Sequence, residues 1–151
     1  MKAKSGFTLV EILIVVVILG ILAAIVIPQF TEASTEARES SLKTDLQTLR
    51  SMIELYSVQH LDVNPTLANF VNQMTKQSDI NGTVPPAAGM TALGPYLQQI
   101  PTNPFNSKST LDPSPGTAGD DGGGWEYDET SGDIHADDTL STASGVAHSA
   151  L

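Results

Sequence analysis

From Phe7 to Ile27 the sequence is an apolar run in which only one residue, Glu11, carries a charge. Wound as an α-helix at roughly 1.5 Å per residue, this run reaches about 31 Å, close to the ~30 Å hydrocarbon core of a bilayer. An acid inside such a segment costs on the order of 2.5–3.5 kcal/mol, so its presence needs a reason. Lys2 and Lys4 precede the run, and Glu32 and Glu36 are the first charges after it. The positive-inside tendency then keeps the N-terminus cytoplasmic and exports the rest. Leu22-Ala23-Ala24 is a poor small-x-small site, which speaks against removal of the run as an ordinary secretory signal.

At 151 residues the chain accommodates this segment and one small domain with a single modest core. Seven Lys and Arg against 17 Asp and Glu give a net charge of −10, which disfavours a nucleic-acid binder with its basic face. There is no cysteine, so disulfides, thiolate metal sites and cysteine nucleophiles are excluded.

At Gly6-Phe7-Thr8-Leu9-Val10-Glu11 the sequence resembles the type IV pilin and pseudopilin family, including the major pseudopilin of type II secretion. The match is a short basic leader ending in Gly6, then Phe7, then an acid at the fifth position after the cut. Direct resemblance covers about residues 1–35. It implies cleavage between Gly6 and Phe7 by a membrane prepilin peptidase, N-methylation of Phe7, and retention of the apolar helix. It also implies its partners: copies of itself, related minor pilins or pseudopilins, an assembly platform and an ATPase. The chain divides accordingly into a leader (1–6), a transmembrane and filament-core helix (7–27), an exported pilin-like domain (28–140) and a disordered tail (141–151).

Cleavage would make the Phe7 amine a cation, since an α-amine has a pKa near 8. Glu11 follows about 6 Å along the axis. In staggered helices, Glu11 of one subunit can meet the amine of another, and a wrong register would strand a charge in a low-dielectric bundle. The plainer reading is an acid that snorkels to the interface. Gly20 and Pro28 punctuate the helix. Pro28 cannot donate to the Ala24 carbonyl and is expected to kink or loosen that turn. The resemblance implies a second role, loss of helicity between Gly20 and Pro28 on packing into a filament.

Leu42, Leu46, Leu49, Ile53 and Tyr56 recur at spacings of four, three, four and three, one face of a helix. One long helix is therefore expected from Phe7 to about Gln59, its exported half covered on that face by the chain's own domain. Asn64-Pro65 reads as the start of a short amphipathic helix through Leu67, Phe70, Val71 and Met74, ending near Lys76. Leu93–Pro101 suggests one helical turn burying Tyr96, Leu97 and Ile100, followed by a loop pinned by Phe105. Trp125–Asp128 and Asp133–Ala136, separated by Glu129-Thr130-Ser131-Gly132, predict a hairpin that buries Trp125, Tyr127 and Ile134. A third strand is expected near Phe105 to Leu111, because two strands alone are marginal. The fold class is α+β and pilin-like: a long N-terminal helix packed on a small domain with a short helix and a small antiparallel sheet.

No Lys or Arg follows Lys108, whereas nine Asp and Glu do. The loop Gly116–Gly124, with Asp120-Asp121 before three glycines, can wrap a hard cation together with Asp112. Many pseudopilins resembling this chain bind calcium in a loop at this place. The spacing matches no EF-hand, and a solvated acidic loop is the alternative. His60, His135 and His148 stand apart, with no paired-ligand spacing, and read as surface residues. No nucleophile motif or phosphate-cradling loop is present, so an enzyme is not expected. The expected function is a structural filament subunit, first of all a type II secretion pseudopilin in the inner membrane and then in a periplasmic or cell-surface filament. The alternatives are a major or minor type IV pilin and a membrane-tethered binding module that never polymerises.

Overall fold

The computed structural model describes residues 6–113 and 119–151. The leader residues 1–5, with Lys2 and Lys4, and residues 114–118, which include the start of the acidic loop, lie outside the described residues. Two compact units are present, Met1–Ala37 and Arg38–Leu151.

Helix α1 runs from Leu9 to Gln59 with Pro28 inside it. In the first unit no residue described between Leu9 and Ile27 is buried. The second unit begins where α1 acquires a buried face: Glu39, Leu42, Leu46, Leu49, Ile53 and Tyr56. Five of these six are the heptad-like stripe expected from spacing, and they meet their own domain. Glu39 joins the buried set because its Oε1 accepts the Ala143 N–H at 2.8 Å.

The helix ends in a turn that would ordinarily hold glycine. The Asp62 N–H donates to the Ser57 carbonyl at 2.9 Å, a Schellman-type closure. Yet the residues in the left-handed region are Leu61 and Asp62, both with φ 59°. A side chain there costs roughly 1–2 kcal/mol. Leu61 recovers little of that by burial, being 69% exposed. Leu61→Gly should therefore raise the stability of the domain by about 0.5–1 kcal/mol, after allowing for glycine's extra unfolded-state entropy. Thermal melting of the two domains would check it.

A 3₁₀ turn at Leu67–Asn69 leads into α2, Phe70–Thr75. The expected Asn64-Pro65 start is thus displaced to Thr66-Leu67. Asn64 instead spends its side-chain amide on the Glu129 and Thr130 carbonyls, both at 3.3 Å, and Glu129 Oε2 takes the Leu67 N–H at 2.7 Å. A partner distant in sequence supplies the cap.

The expected helical turn within Leu93–Pro101 is absent. The Tyr96 and Leu97 N–H groups both donate to the Met74 carbonyl at 2.9 Å, and Leu93 bridges Ser78. Pro95 and Pro101 lack donors, so local helical bonds could not compete. Ile100 is buried, while Tyr96 and Leu97 are half-buried.

Strands β1 (Leu111–Pro113), β2 (Trp125–Tyr127) and β3 (Ile134–Ala136) lie in that order. The hairpin forms as expected, Trp125 opposite Ala136 and Tyr127 opposite Ile134. The sheet is mixed, however, not wholly antiparallel: β1 runs parallel to β2 with Leu111 opposite Trp125. The start of β2 meets the start of β1, where the Gly124 and Trp125 N–H groups both donate to the Thr110 carbonyl. A Cβ on Gly124 would lie 2.6 Å from the Lys108 carbonyl carbon, so only glycine admits this approach.

The core joins Leu42, Leu46, Leu49, Ile53 and Tyr56 to Phe70, Met74, Trp125, Tyr127 and Ile134. Buried aromatic tips are satisfied: Trp125 Nε1 donates to the Pro101 carbonyl at 2.8 Å and the Tyr127 hydroxyl to the Pro65 carbonyl at 2.9 Å. Burial pushes the Tyr56 hydroxyl up to about 12, helped by Tyr96 and Asp79 beside it.

The stretch 141–151, expected to be disordered, is ordered. Ser141 bridges Ala147, His148–Ala150 forms a 3₁₀ turn, and Arg50 Nη1 donates to the Leu151 carbonyl at 2.9 Å. Three buried groups hold it where bulk hydrophobicity does not: Glu39 through Ala143, Asp138 and His148. Two of the three histidines are therefore interior. His60 stacks on Tyr56 at 3.7 Å and bonds Ser78 Oγ at 2.9 Å; His148 Nδ1 meets Asp138 Oδ1 at 2.7 Å. His135 is half-buried on β3.

Candidate functional site

Two places carry the residues singled out from sequence, the head of α1 and the acidic loop. At the head, Gly6 is open on all sides: a Cβ there would meet no atom within 4 Å. Phe7 is 83% exposed. The Gly6–Phe7 peptide thus sits on accessible chain just ahead of the first helical residue. Thr8 caps the helix. Its Oγ1 accepts the Glu11 N–H at 3.2 Å, while Glu11 Oε2 accepts the Thr8 N–H and the Thr8 hydroxyl, each at 2.8 Å. This is a capping box, in which two donors left over at the helix start are satisfied reciprocally. Glu11 therefore has a use within one chain, a role the sequence reading overlooked. The Thr8-x-x-Glu11 spacing ahead of an apolar run was the available cue.

Further along, Gly20 lies where a Cβ would meet nothing within 4 Å. No neighbour in the described residues requires its smallness, although glycine costs about 1 kcal/mol against alanine in a helix. Past Pro28, Thr31 and Thr35 turn their hydroxyls onto the carbonyls of Ile27 and Thr31, at 3.1 and 3.0 Å. The helix is continuous through the proline. Its apolar window has a mean hydropathy of 3.3, long and apolar enough to cross a membrane.

In the acidic loop, one carboxylate oxygen each from Asp112, Asp120 and Asp137 lies within 4.8 Å of the other two. Asp112 comes from β1, Asp120 from the loop, and Asp137 from the residue after β3. Asp137 is buried and held by the Gly123 N–H at 2.6 Å and the Asp121 N–H at 3.2 Å. Gly122 donates to Asp120 Oδ1 at 2.9 Å. A Cβ on Gly122 would fall among the Asp112 and Asp120 carboxylates, so glycine lets the backbone reach them. Asp121 turns away. Its Oδ1 accepts Asn106 Nδ2 at 2.7 Å and pairs with Lys108 Nζ at 3.4 Å, while that ammonium also donates to the Asp121 carbonyl. Of the three expected ligands, then, the structure brings Asp112 and Asp120 together and adds Asp137. Asp137 was counted among the acids of the chain's end but sits 17 positions beyond Asp120, and only the hairpin returns it to the loop.

Like charges this close repel by about 1 kcal/mol per pair even in water, and by more where water is scarce. The donors are all oxygen, the preference of a hard cation. Oxygens about 2.3–2.6 Å from a calcium ion stand up to about 5 Å apart, and the 4.8 Å spread falls within that.

The prokaryotic N-terminal methylation motif matches residues 1–27. The chain is 33% identical over 119 residues to the type II secretion system core protein G of Pseudomonas aeruginosa, covering 78% of this chain and 79% of that one. It is 30% identical over 118 residues to the core protein G of Klebsiella michiganensis, with 78% and 79% covered. With that of Pectobacterium carotovorum the identity is 28% over 142 residues, covering 83% and 87%. No solved structure matches.

Proposed function

Because the chain belongs to the type II secretion system core protein G family and is a membrane-anchored pseudopilin, we propose that it works by polymerising through its N-terminal helix. The observation that carries this is the head of α1: a lone acid at Glu11, at the start of a stretch, Leu9–Ile27, whose apolar residues are all exposed among the described residues. Such a surface is satisfied twice in succession, by lipid and then by other copies of the same helix. The N-terminus faces the cytoplasm and the domain is exported. A prepilin peptidase cuts between Gly6 and Phe7, and Phe7 is N-methylated. The freed amine is the partner that Glu11 meets on a neighbouring subunit. Minor pseudopilins, an assembly platform and its ATPase complete the machine, and this chain supplies structure, not catalysis. Gly20 and Pro28 mark where α1 loosens as helices pack, since the proline removes one backbone bond and glycine holds the helix least tightly.

Gly6→Leu tests the processing step. The variant should keep the full precursor mass and yield no filament, whereas the parent chain begins at Phe7. A Gly6→Leu chain cut normally at Phe7 would refute the assignment of the site.

A second element of the proposal concerns Asp112, Asp120 and Asp137. Their geometry and oxygen-only chemistry suit calcium, which would neutralise the cluster and tie β1, the loop and the chain after β3 together. Asp121 holds the loop to Lys108 and is not a ligand in this arrangement.

A further inference from the structure

Resting on the filament reading, we infer that the exposed end of the spine helix on one copy docks into a basic groove midway along the spine of another. The docking element is built around Leu61. This side chain occupies a left-handed turn position that glycine would take without strain, and it is 69% exposed, with Val58 and Val63 also exposed at 65% and 59%. Among the described residues nothing in the domain covers this knob. Its surroundings are acidic: Asp62 follows it, and the hairpin turn carrying Asp128, Glu129 and Asp133 is fastened to the same end through Asn64.

The receiving surface is an open groove of about 400 Å³ lined by Lys43, Leu46, Gln47, Arg50 and Leu151. Leu151, half-exposed above the buried Leu46, gives it apolar character, and Lys43 and Arg50 give it positive charge. Among the described residues Lys43 makes no ion pair. The Arg50 guanidinium donates to the Ile134 carbonyl and to a Leu151 main-chain oxygen, and among the described residues it pairs with no Asp or Glu side chain. An apolar knob with acids beside it matches an apolar groove with cations beside it, in sign as well as character.

Both surfaces belong to one chain, which makes a second copy the occupant. They lie on the same helix, separated by roughly 20 Å at about 1.5 Å per residue, so a copy cannot satisfy its own groove. The contact is heterologous: knob meets groove, and each bound copy presents a fresh knob and groove. Contacts of this kind propagate into open helical filaments instead of closing as dimers.

The chain has no cysteine, so a pair can be introduced cleanly. Gln47→Cys with Leu61→Cys, expressed with the secretion apparatus, should give an oxidant-dependent ladder of multimers. Each single variant, and the pair Gln47→Cys with Val71→Cys, should not. Within one chain the 47–61 pair is far beyond the 4.4–6.8 Å that a disulfide spans. Leu61→Gly should melt no lower than the parent domain and yet lower filament yield about tenfold. Filaments at parental yield from Leu61→Gly, or double-cysteine filaments that give no ladder, would overturn the contact. So would cross-linking of Leu61→Cys to a different protein. Absence of filaments from the parent chain would instead count against the filament reading itself.

Discussion

A chain carrying Glu11→Leu is expected to enter the membrane and be cut at Phe7 like the parent, while its filament yield falls by two to three orders of magnitude. The size follows from stranding the Phe7 cation. Removing one partner of a desolvated charge pair costs about 3–5 kcal/mol, and each ~1.4 kcal/mol is a factor of ten. The capping box complicates the variant, because Glu11 also holds the Thr8 N–H and hydroxyl. Losing a cap costs about 1 kcal/mol. Thr8→Val separates the two effects, since it breaks the box and leaves the carboxylate free for the amine of a neighbour. Quantifying filaments and processed subunit in the parent and both variants decides the matter. If Thr8→Val is as defective as Glu11→Leu, helix capping explains the acid and register does not. If Glu11→Leu assembles normally, neither explanation survives.

The second large effect is expected from calcium and the isolated second unit, Arg38–Leu151. An ion present at 100 to 1,000 times its dissociation constant stabilises by about 2.7–4.1 kcal/mol. At about 4–8 °C per kcal/mol for a domain of this size class, the melting temperature should rise by more than 10 °C on adding calcium and return with a chelator. Asp137→Asn should abolish most of the shift. It keeps one oxygen for these N–H groups, turns the other into an amide nitrogen that cannot accept, and removes charge from the most buried of the three carboxylates, so its calcium-free melting point should fall as the calcium shift disappears. Asp121→Asn is expected to keep the shift, because that side chain faces Asn106 and Lys108. A melting curve indifferent to calcium would reduce the cluster to a solvated loop. A shift lost in Asp121→Asn and kept in Asp137→Asn would assign the wrong ligands.

These expectations were unequally visible from sequence. The spine stripe of Leu42, Leu46, Leu49, Ile53 and Tyr56 was readable because helical spacing alone puts those side chains on one face. The hairpin was readable because Trp125, Tyr127 and Ile134 alternate around a turn. Asp120 was found by its company of glycines, and so was Asp121, which turns away from the cluster. Asp137 was not, because its proximity to them is created by β3 pairing with β2. His60 and His148 looked like surface residues only because their partners, Ser78 and Asp138, cannot be recognised as partners before the chain is folded. Ser141–Leu151 looked too polar to order for the same reason: its anchors are single hydrogen bonds to Glu39, Arg50 and Asp138, and hydropathy does not register such bonds.

The sequence by itself determined the membrane-length helix, its lone acid, the N-terminal methylation motif around them and the apolar face of the spine. All are local patterns, set by which residues lie within a few turns of one another. Tertiary structure alone decided the parallel placement of β1, the third carboxylate of the acidic cluster and the ordered end of the chain. Each depends on groups distant in the chain meeting at one point, and the entropy of closing those loops is repaid only when the whole core forms.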